Sequence, residues 1–331
     1  MKQLVEKFSE QLRHAMEIGE RAAVTFRGPA YSNVVIVGMG SSSVAANLIQ
    51  CYVADKLSVP VVLCKGYSLP SFVGANTLVI AASFSGNTEE VIAVVRAALG
   101  ADAAVGFLTA GGELLRIAEE HHVPHIRLDE EAAQPRALLA YAVVGLLYLL
   151  HHAELLDDTF KREVVQSINL LEEQAGSIKV QASALASAMQ CKIPVLYASN
   201  TFESVALRLQ QQLNTNAKQL AHVNVFPEMS HNEVQGWQHP AELFGQLAVL
   251  FIKTGYDNPR VKLRMELAKP ILKKKVQDVL EIEAVGATFL EQAFYLIHLF
   301  DWVSVYMADL NKEDPESNEA IDYLKRELSK V

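Results

Sequence analysis

The order of apolar runs predicts an α/β protein built as two similar, doubly wound halves. Short β-branched runs alternate with helical patterns, the run–turn–helix unit recurs in both halves, and two of the turns are rich in glycine and hydroxyl residues. Strands that alternate with helices need crossover connections, so each sheet is expected to be parallel and covered on both faces.

The chain opens with MKQLVEKFSEQLRHAMEIGERAA, an amphipathic helical pattern with charges throughout, unlike a secretory leader. NVVIVGMGSSSVAANLIQCYVADKL then reads as strand, Gly/Ser turn and helix, and VPVVLC as a short buried strand. NTLVIAASFSGNTEEVIAVVRAAL and AAVGFLTAGGELLRIAEEH repeat the scheme, and VPHIRLD closes it with a last strand. The most apolar run, Ala137–Leu150, falls short of the roughly 20 residues of a membrane span and reads as a buried helix. Residues 1–155 are expected to form an N-terminal domain, and 156–331 a second one.

The second half begins with a long helix, FKREVVQSINLLEEQAGSIKVQASALASAMQ. The strand KIPVLYAS, the helix TFESVALRLQQQLNTNAK, the strand LAHVNVFPE and the polar turn SHNEVQGW follow. LAVLFIKT and DVLEIEAVG are further strands around the helix NPRVKLRMELAKPILKKKV. The helix ATFLEQAFYLIHLFDWVSVYMADL, a break at Asp314–Pro315 and the helix NEAIDYLKRELSK complete the chain.

Of 331 residues, half are hydrophobic and a fifth charged, which suits large buried cores. A net charge of −9 argues against nucleic acid or an anionic membrane as the main partner. Three cysteines without CxxC spacing (Cys51, Cys64, Cys191) suggest a reducing, cytoplasmic setting. The cluster His121, His122 and His125 lacks matched carboxylates and reads as a solvated turn, so no metal is expected.

Two turns could carry chemistry. GMGSSS, Gly38–Ser43, opens like a dinucleotide fingerprint, but Ser43 replaces the third glycine. Lys65 also stands where a ribose-binding acid would be wanted, so NAD is not expected. What remains is either a serine-capped tight turn or an anion site at a helix N-terminus. SFSGNTEE places Ser83, Ser85 and Thr88 at a second strand-to-helix junction, where Gly86 permits close backbone approach. In a parallel sheet both loops lie at the carboxyl ends of strands, where ligands bind. Gly40, Ser41 and Ser42 with Ser83, Ser85 and Thr88 could therefore cradle a phosphate monoester without metal or cofactor. Neither loop has a P-loop lysine, which argues against a nucleoside triphosphate.

GMGSSS, SFSGNTEE, QPRA and PEMSHNEVQGW, in this order, resemble the sugar isomerase (SIS) domain proteins. The nearest resemblance is to the bifunctional phosphoglucose/phosphomannose isomerases, and it covers nearly the whole chain. It implies two tandem SIS domains, each a flavodoxin-like parallel sheet flanked by helices, in a homodimer acting on a sugar 6-phosphate. The activity implied is aldose–ketose isomerisation through a cis-enediol, interconverting glucose 6-phosphate or mannose 6-phosphate with fructose 6-phosphate. By motif, Ser42, Ser83, Ser85 and Thr88 would hold the phosphate, and Arg136 would stabilise charge on the enediol. His231 would open the sugar ring from the neighbouring subunit, with Lys325 assisting.

In the resembling isomerases the base is a glutamate in a segment reading roughly N-E-N-x-K. Here the segment reads Asn214, Thr215, Asn216, Ala217, Lys218, so Thr215 stands in the base position. A threonine hydroxyl cannot abstract a carbon-bound proton at neutral pH, and losing a positioned base typically costs ~10²–10⁴-fold in rate. Three readings follow. Another carboxylate serves, with Glu228 and Glu233 flanking His231; or the chain binds phosphosugars without turnover, as a sensor; or His231 or Lys218 acts as base in another phosphosugar reaction.

Overall fold

The computed structural model describes residues 1–26, 30–129, 134–328 and 330. Two compact units are present. The first comprises Glu6–Glu172 with Gly286–Glu291; the second comprises Met1–Val5, Glu173–Val285 and Gln292–Val331.

Helix α1 (Lys2–Glu6) precedes α2 (Phe8–Arg21), whose buried residues Phe8, Leu12, Ala15 and Ile18 recur at helical spacing. The first unit continues with β1 (Asn33–Val37), α3 (Ser41–Val53), β2 (Val61–Cys64), β3 (Thr77–Ala82) and α4 (Glu89–Gly100). It is completed by β4 (Ala104–Thr109), α5 (Gly112–His121), β5 (His125–Arg127), α6 (Leu139–His152) and the first part of α7 (Thr159–Met189). The strands pair in parallel in the order β2-β1-β3-β4-β5. Every residue of the central strand β3 is buried, as expected where helices cover both faces. The apolar run expected to be a core helix is α6, buried without interruption from Val143 to Leu150.

The second unit carries β6 (Ile193–Ser199), α8 (Glu203–Asn216), β7 (His222–Phe226) and the short α9 (Glu233–Gly236). β8 (Leu247–Lys253), α10 (Pro259–Leu272), β9 (Asp278–Glu283), α11 (Phe289–Asn311) and α12 (Glu319–Leu328) follow. Its parallel sheet runs β7-β6-β8-β9, the same winding as β2-β1-β3-β4. All nine strands expected from the apolar runs form. The division of the chain differs from the expected boundary at 155/156. Helix α7 is continuous through the passage from one unit to the other, so no linker marks it. Its Phe160 packs on Tyr148 and Lys161 pairs with Glu20 in the first unit. Farther along, Gln181 donates to the Tyr295 hydroxyl in the second.

A buried polar seam joins α8 to α11. Arg208, Gln212 and Asn216 lie at intervals of four along α8, and therefore on one face. Arg208 Nε and Nη2 donate to the two Asp301 carboxylate oxygens at 3.0 and 2.8 Å, and Gln212 Nε2 donates to the same group at 3.0 Å. One helical turn on, Asn216 Nδ2 donates to Ser304 Oγ at 2.9 Å. Arg208 is 1% exposed and Asp301 3%, so either charge without its partner would be stranded in the core. Asp301→Ala is expected to lower the stability of the second unit by about 3–5 kcal/mol in urea unfolding, whereas Arg208→Met/Asp301→Leu recovers most of the loss.

Candidate active site

Strand order in the first unit reverses between β1 and β3, and the two hydroxyl-rich loops leave these strands. The crevice at such a reversal is where doubly wound sheets take ligands. Gly40 caps α3 at φ +55°, ψ −125°; a β-carbon there would meet no neighbour, so the backbone conformation itself calls for glycine. Gly86 has φ +68°, and a β-carbon on it would fall 1.7 Å from the Gly111 carbonyl oxygen. The second loop is thus pressed onto the turn before α5, where Asn87 Oδ1 accepts from the Glu113 backbone N–H at 3.0 Å.

This packing fixes the hydroxyls. Ser83 Oγ and Thr88 Oγ1 share a hydrogen bond of 2.8 Å, and Ser85 Oγ accepts from the Asn87 N–H at 3.3 Å. Ser42 and Ser83 are 8% and 4% exposed, and with Ser41 they line one pocket. Pro135 and Leu138, close on either side of Arg136, line it too. Its enclosed space is about 10 Å³. Arg136 itself is half-buried in the 3-10 turn Pro135–Ala137 that leads into α6.

The corresponding crevice of the second unit, after β6 and β8, is filled from within. Asp257 accepts from Ser199 Oγ at 2.7 Å, Thr254 Oγ1 at 2.7 Å and the Thr254 backbone N–H at 2.8 Å, and all three residues are buried. A carboxylate of the chain itself thus occupies the donors at this place.

Thr215 lies in the last turn of α8, and its hydroxyl donates to the Gln211 carbonyl at 2.7 Å, a back-bond within the helix. It borders a cleft of about 720 Å³, lined also by Lys218, Glu313, Ser317, Asn318 and Glu319. Sequence reasoning missed Glu313 and Glu319. They lie about a hundred residues beyond Thr215, and nothing in their local pattern marks them. Lys325 is exposed on α12, one turn past Ile321, which lines the same cleft.

The residues around His231 form a different group. His231 ends the 3-10 turn Glu228–His231 and is exposed; Glu228 accepts from Asn232 Nδ2 at 2.9 Å. Neither they nor Glu233 line the Thr215 cleft. Glu233 accepts from Tyr197 Oη, Asn224 Nδ2 and, at 2.9 Å, His222 Nε2, while Trp237 Nε1 donates to Tyr197 Oη at 3.0 Å. Burial pushes the Glu233 carboxyl up, but hydrogen bonds from His222, Asn224 and Tyr197 outweigh it and hold the group below its ordinary range. Such a carboxylate is a weak base and a strong anchor for the turn that carries His231.

Among the described residues no group of three or more His, Cys, Asp and Glu side chains is disposed to hold a metal ion. No described helix is long and apolar enough to cross a membrane.

The His222–Glu233 pair sets a pH dependence. The hydrogen bond to Glu233 raises His222 above its ordinary value of 6.5, so its contribution is complete below that pH and fades as pH climbs through the raised value. The Glu233 contribution is complete above the ordinary value of 4.5 and fades as pH falls through the lowered one. The excess melting temperature of the wild type over His222→Gln is therefore expected to be largest between these limits and to shrink as pH rises through the raised His222 value.

Residues 178–328 match the family described as the bacterial phospho-glucose isomerase C-terminal SIS domain. The bifunctional phosphoglucose/phosphomannose isomerase of Caldicellulosiruptor bescii is 35% identical over 329 residues, 97% of each chain. That of Aquifex aeolicus is 32% identical over 91% of each chain. Among solved structures, a hypothetical protein from Thermus thermophilus superposes with a TM-score of 0.77 over 98% of this chain and 89% of its own, at 15% identity. With two full-length relatives above 30% identity and the same SIS architecture, this chain belongs to the bifunctional phosphoglucose/phosphomannose isomerase family.

Proposed function

We propose that the chain interconverts glucose 6-phosphate and mannose 6-phosphate with fructose 6-phosphate through a cis-enediol. The observation that carries this reading is the meeting of Ser42 and Ser83, both buried, in one pocket at the strand-order reversal. Neutral hydroxyls and backbone N–H groups at the N-terminus of α3 suit a phosphate monoester. Gly40, Ser41, Ser42, Ser83, Ser85 and Thr88 form that cradle.

The reaction moves one proton from C2 to C1 and another from O2 to O1. His231 exchanges a proton with the ring oxygen to give the open chain, and histidine suits this near neutral pH. Lys325 assists ring opening. The Arg136 guanidinium stands against the oxyanion that develops on the enediol. In a homodimer His231 would be supplied to the neighbouring copy. The cytoplasm, where sugar phosphates and free thiols coexist, is the setting this chemistry fits.

The base is the one role with no group of the family's kind in place. The Thr215 hydroxyl is committed to Gln211, and Glu233 is engaged by three donors. Glu313 and Glu319 share the Thr215 cleft and are the carboxylates best placed to replace the missing side chain.

NMR observation of C2 proton exchange and coupled assays on both aldose phosphates test the reading. Ser83→Ala is expected to raise KM for either substrate about tenfold, since it removes a charge-assisted donor to the phosphate. Either Glu313→Gln or Glu319→Gln should lower kcat by ~10²–10⁴-fold, and Thr215→Glu in that background should restore turnover. If the loss appears instead in Glu228→Gln or Glu233→Gln, the base belongs to the His231 turn. Binding of sugar phosphates without conversion by the wild type would leave a phosphosugar-binding protein and end the isomerase reading.

A further inference from the structure

We propose that Lys218 is a positioning residue of the isomerase site, a latch that holds the segment leading into α12 against the C-terminal turn of α8. The inference rests on the isomerase reading above and deepens it.

The end of α8 shows why a lysine there calls for an explanation. The Gln219 N–H reaches back six residues to the Leu213 carbonyl at 3.1 Å and closes the end of the helix. Lys218 occupies the left-handed position of that turn, at φ +52°. Glycine is favoured in this slot because a β-carbon is strained in it. A residue with a long side chain adds nothing to the turn itself.

The side chain acts elsewhere. Lys218 Nζ donates to the Thr215 carbonyl at 3.0 Å, to the Ser317 carbonyl at 3.1 Å and to the Asp314 carbonyl; the Asn216 carbonyl lies at 3.5 Å. An ammonium has three protons, and here each has a carbonyl acceptor. Two of the four carbonyls close the last turn of α8, where the helix dipole favours a cation. The other two belong to the connection between α11 and α12, almost a hundred residues away. One ammonium thus ties together two segments that no ladder of backbone hydrogen bonds joins.

Both segments line the Thr215 cleft. The held loop is flanked by Glu313 on one side and Asn318 and Glu319 on the other, all lining that cleft. It also sets where α12 starts, and so where Lys325 is carried. The α8 turn has support of its own: Asn311 Nδ2 donates to the Ala217 carbonyl at 3.0 Å and to Gln219 Oε1 at 2.9 Å. Loss of the latch should therefore loosen the 314–322 wall without unfolding the turn.

The test compares Lys218→Gly, which suits the left-handed slot and removes the latch, with Lys218→Arg, which keeps a cationic donor. Lys218→Gly is expected to hold Tm within about 2 °C of the wild type. Amide exchange at 314–322 should rise at least about tenfold. For glucose 6-phosphate, kcat should fall about tenfold or more while KM stays within about twofold, because the phosphate cradle is untouched. Lys218→Arg should restore most of both kcat and protection. Should the glycine variant fail to fold, Lys218→Met keeps the aliphatic stem and gives the same two readouts. Unchanged exchange at 314–322 overturns the latch, and faster exchange with unchanged kcat overturns its role in catalysis. A wild type that converts no aldose phosphate would sink the isomerase reading instead, and the exchange measurement would then judge the latch by itself.

Discussion

The ion pair between Arg208 and Asp301 is the constraint on which the geometry of the second unit depends. Two charges in a core are stable only if every lone pair and proton is satisfied, and here Gln212 completes the shell of the carboxylate. Apolar packing alone would let α8 slide or rotate on α11 at little cost. A bidentate guanidinium–carboxylate pair admits one register, and the Asn216–Ser304 bond repeats the constraint a turn later. Thr215 is the neighbour of Asn216, and Lys218 lies two residues beyond it. The position of the cleft is therefore inherited from a contact buried well inside the unit.

The two units share one winding and differ in what occupies its crevice. In the first, Gly40 and Gly86 allow the backbone to turn tightly, and buried serines are left facing a shallow pocket. In the second, Asp257 takes the hydroxyl and N–H donors at the matching place. An internal carboxylate has no translational entropy to lose, so it outcompetes a free anion of similar chemistry. At the matching place of the second unit the donors are thus already held by the chain itself.

Acidic groups divide in the same way between those engaged within the chain and those exposed on its surface. Glu233 is buried enough to be pushed toward the neutral form, yet three donors reverse that push and leave it ionised. Its service is to tie Tyr197, Asn224 and His222 to the turn that carries His231. Glu313 and Glu319 are exposed and line a cleft, and no such network holds them among the described residues. A carboxylate intended for proton transfer has to be reachable by substrate, and Glu313 and Glu319 are the more exposed groups.

Much of the fold was legible along the chain. Most strands are short runs rich in Val, Ile, Leu or Ala, and their alternation with helices forces a parallel sheet. The glycine–hydroxyl loops were legible too, because a strand, a Gly/Ser turn and a helix start are all local patterns. The passage between units was not, since α7 is one uninterrupted helix whose period does not change where its neighbours do. Nor were the partners of Thr215: Lys218 was visible only as one member of a motif, and Glu313 and Glu319 as ordinary surface acids. The sequence by itself determined the fold class, the two glycine–hydroxyl loops and the absence of a glutamate at position 215. Only the tertiary structure decided which carboxylates share the Thr215 cleft, that Glu233 is held by three donors and that the Lys218 ammonium reaches the connection between α11 and α12. Hydrophobic periodicity is a short-range property of the chain, whereas the contacts of a charged side chain depend on segments a hundred residues apart.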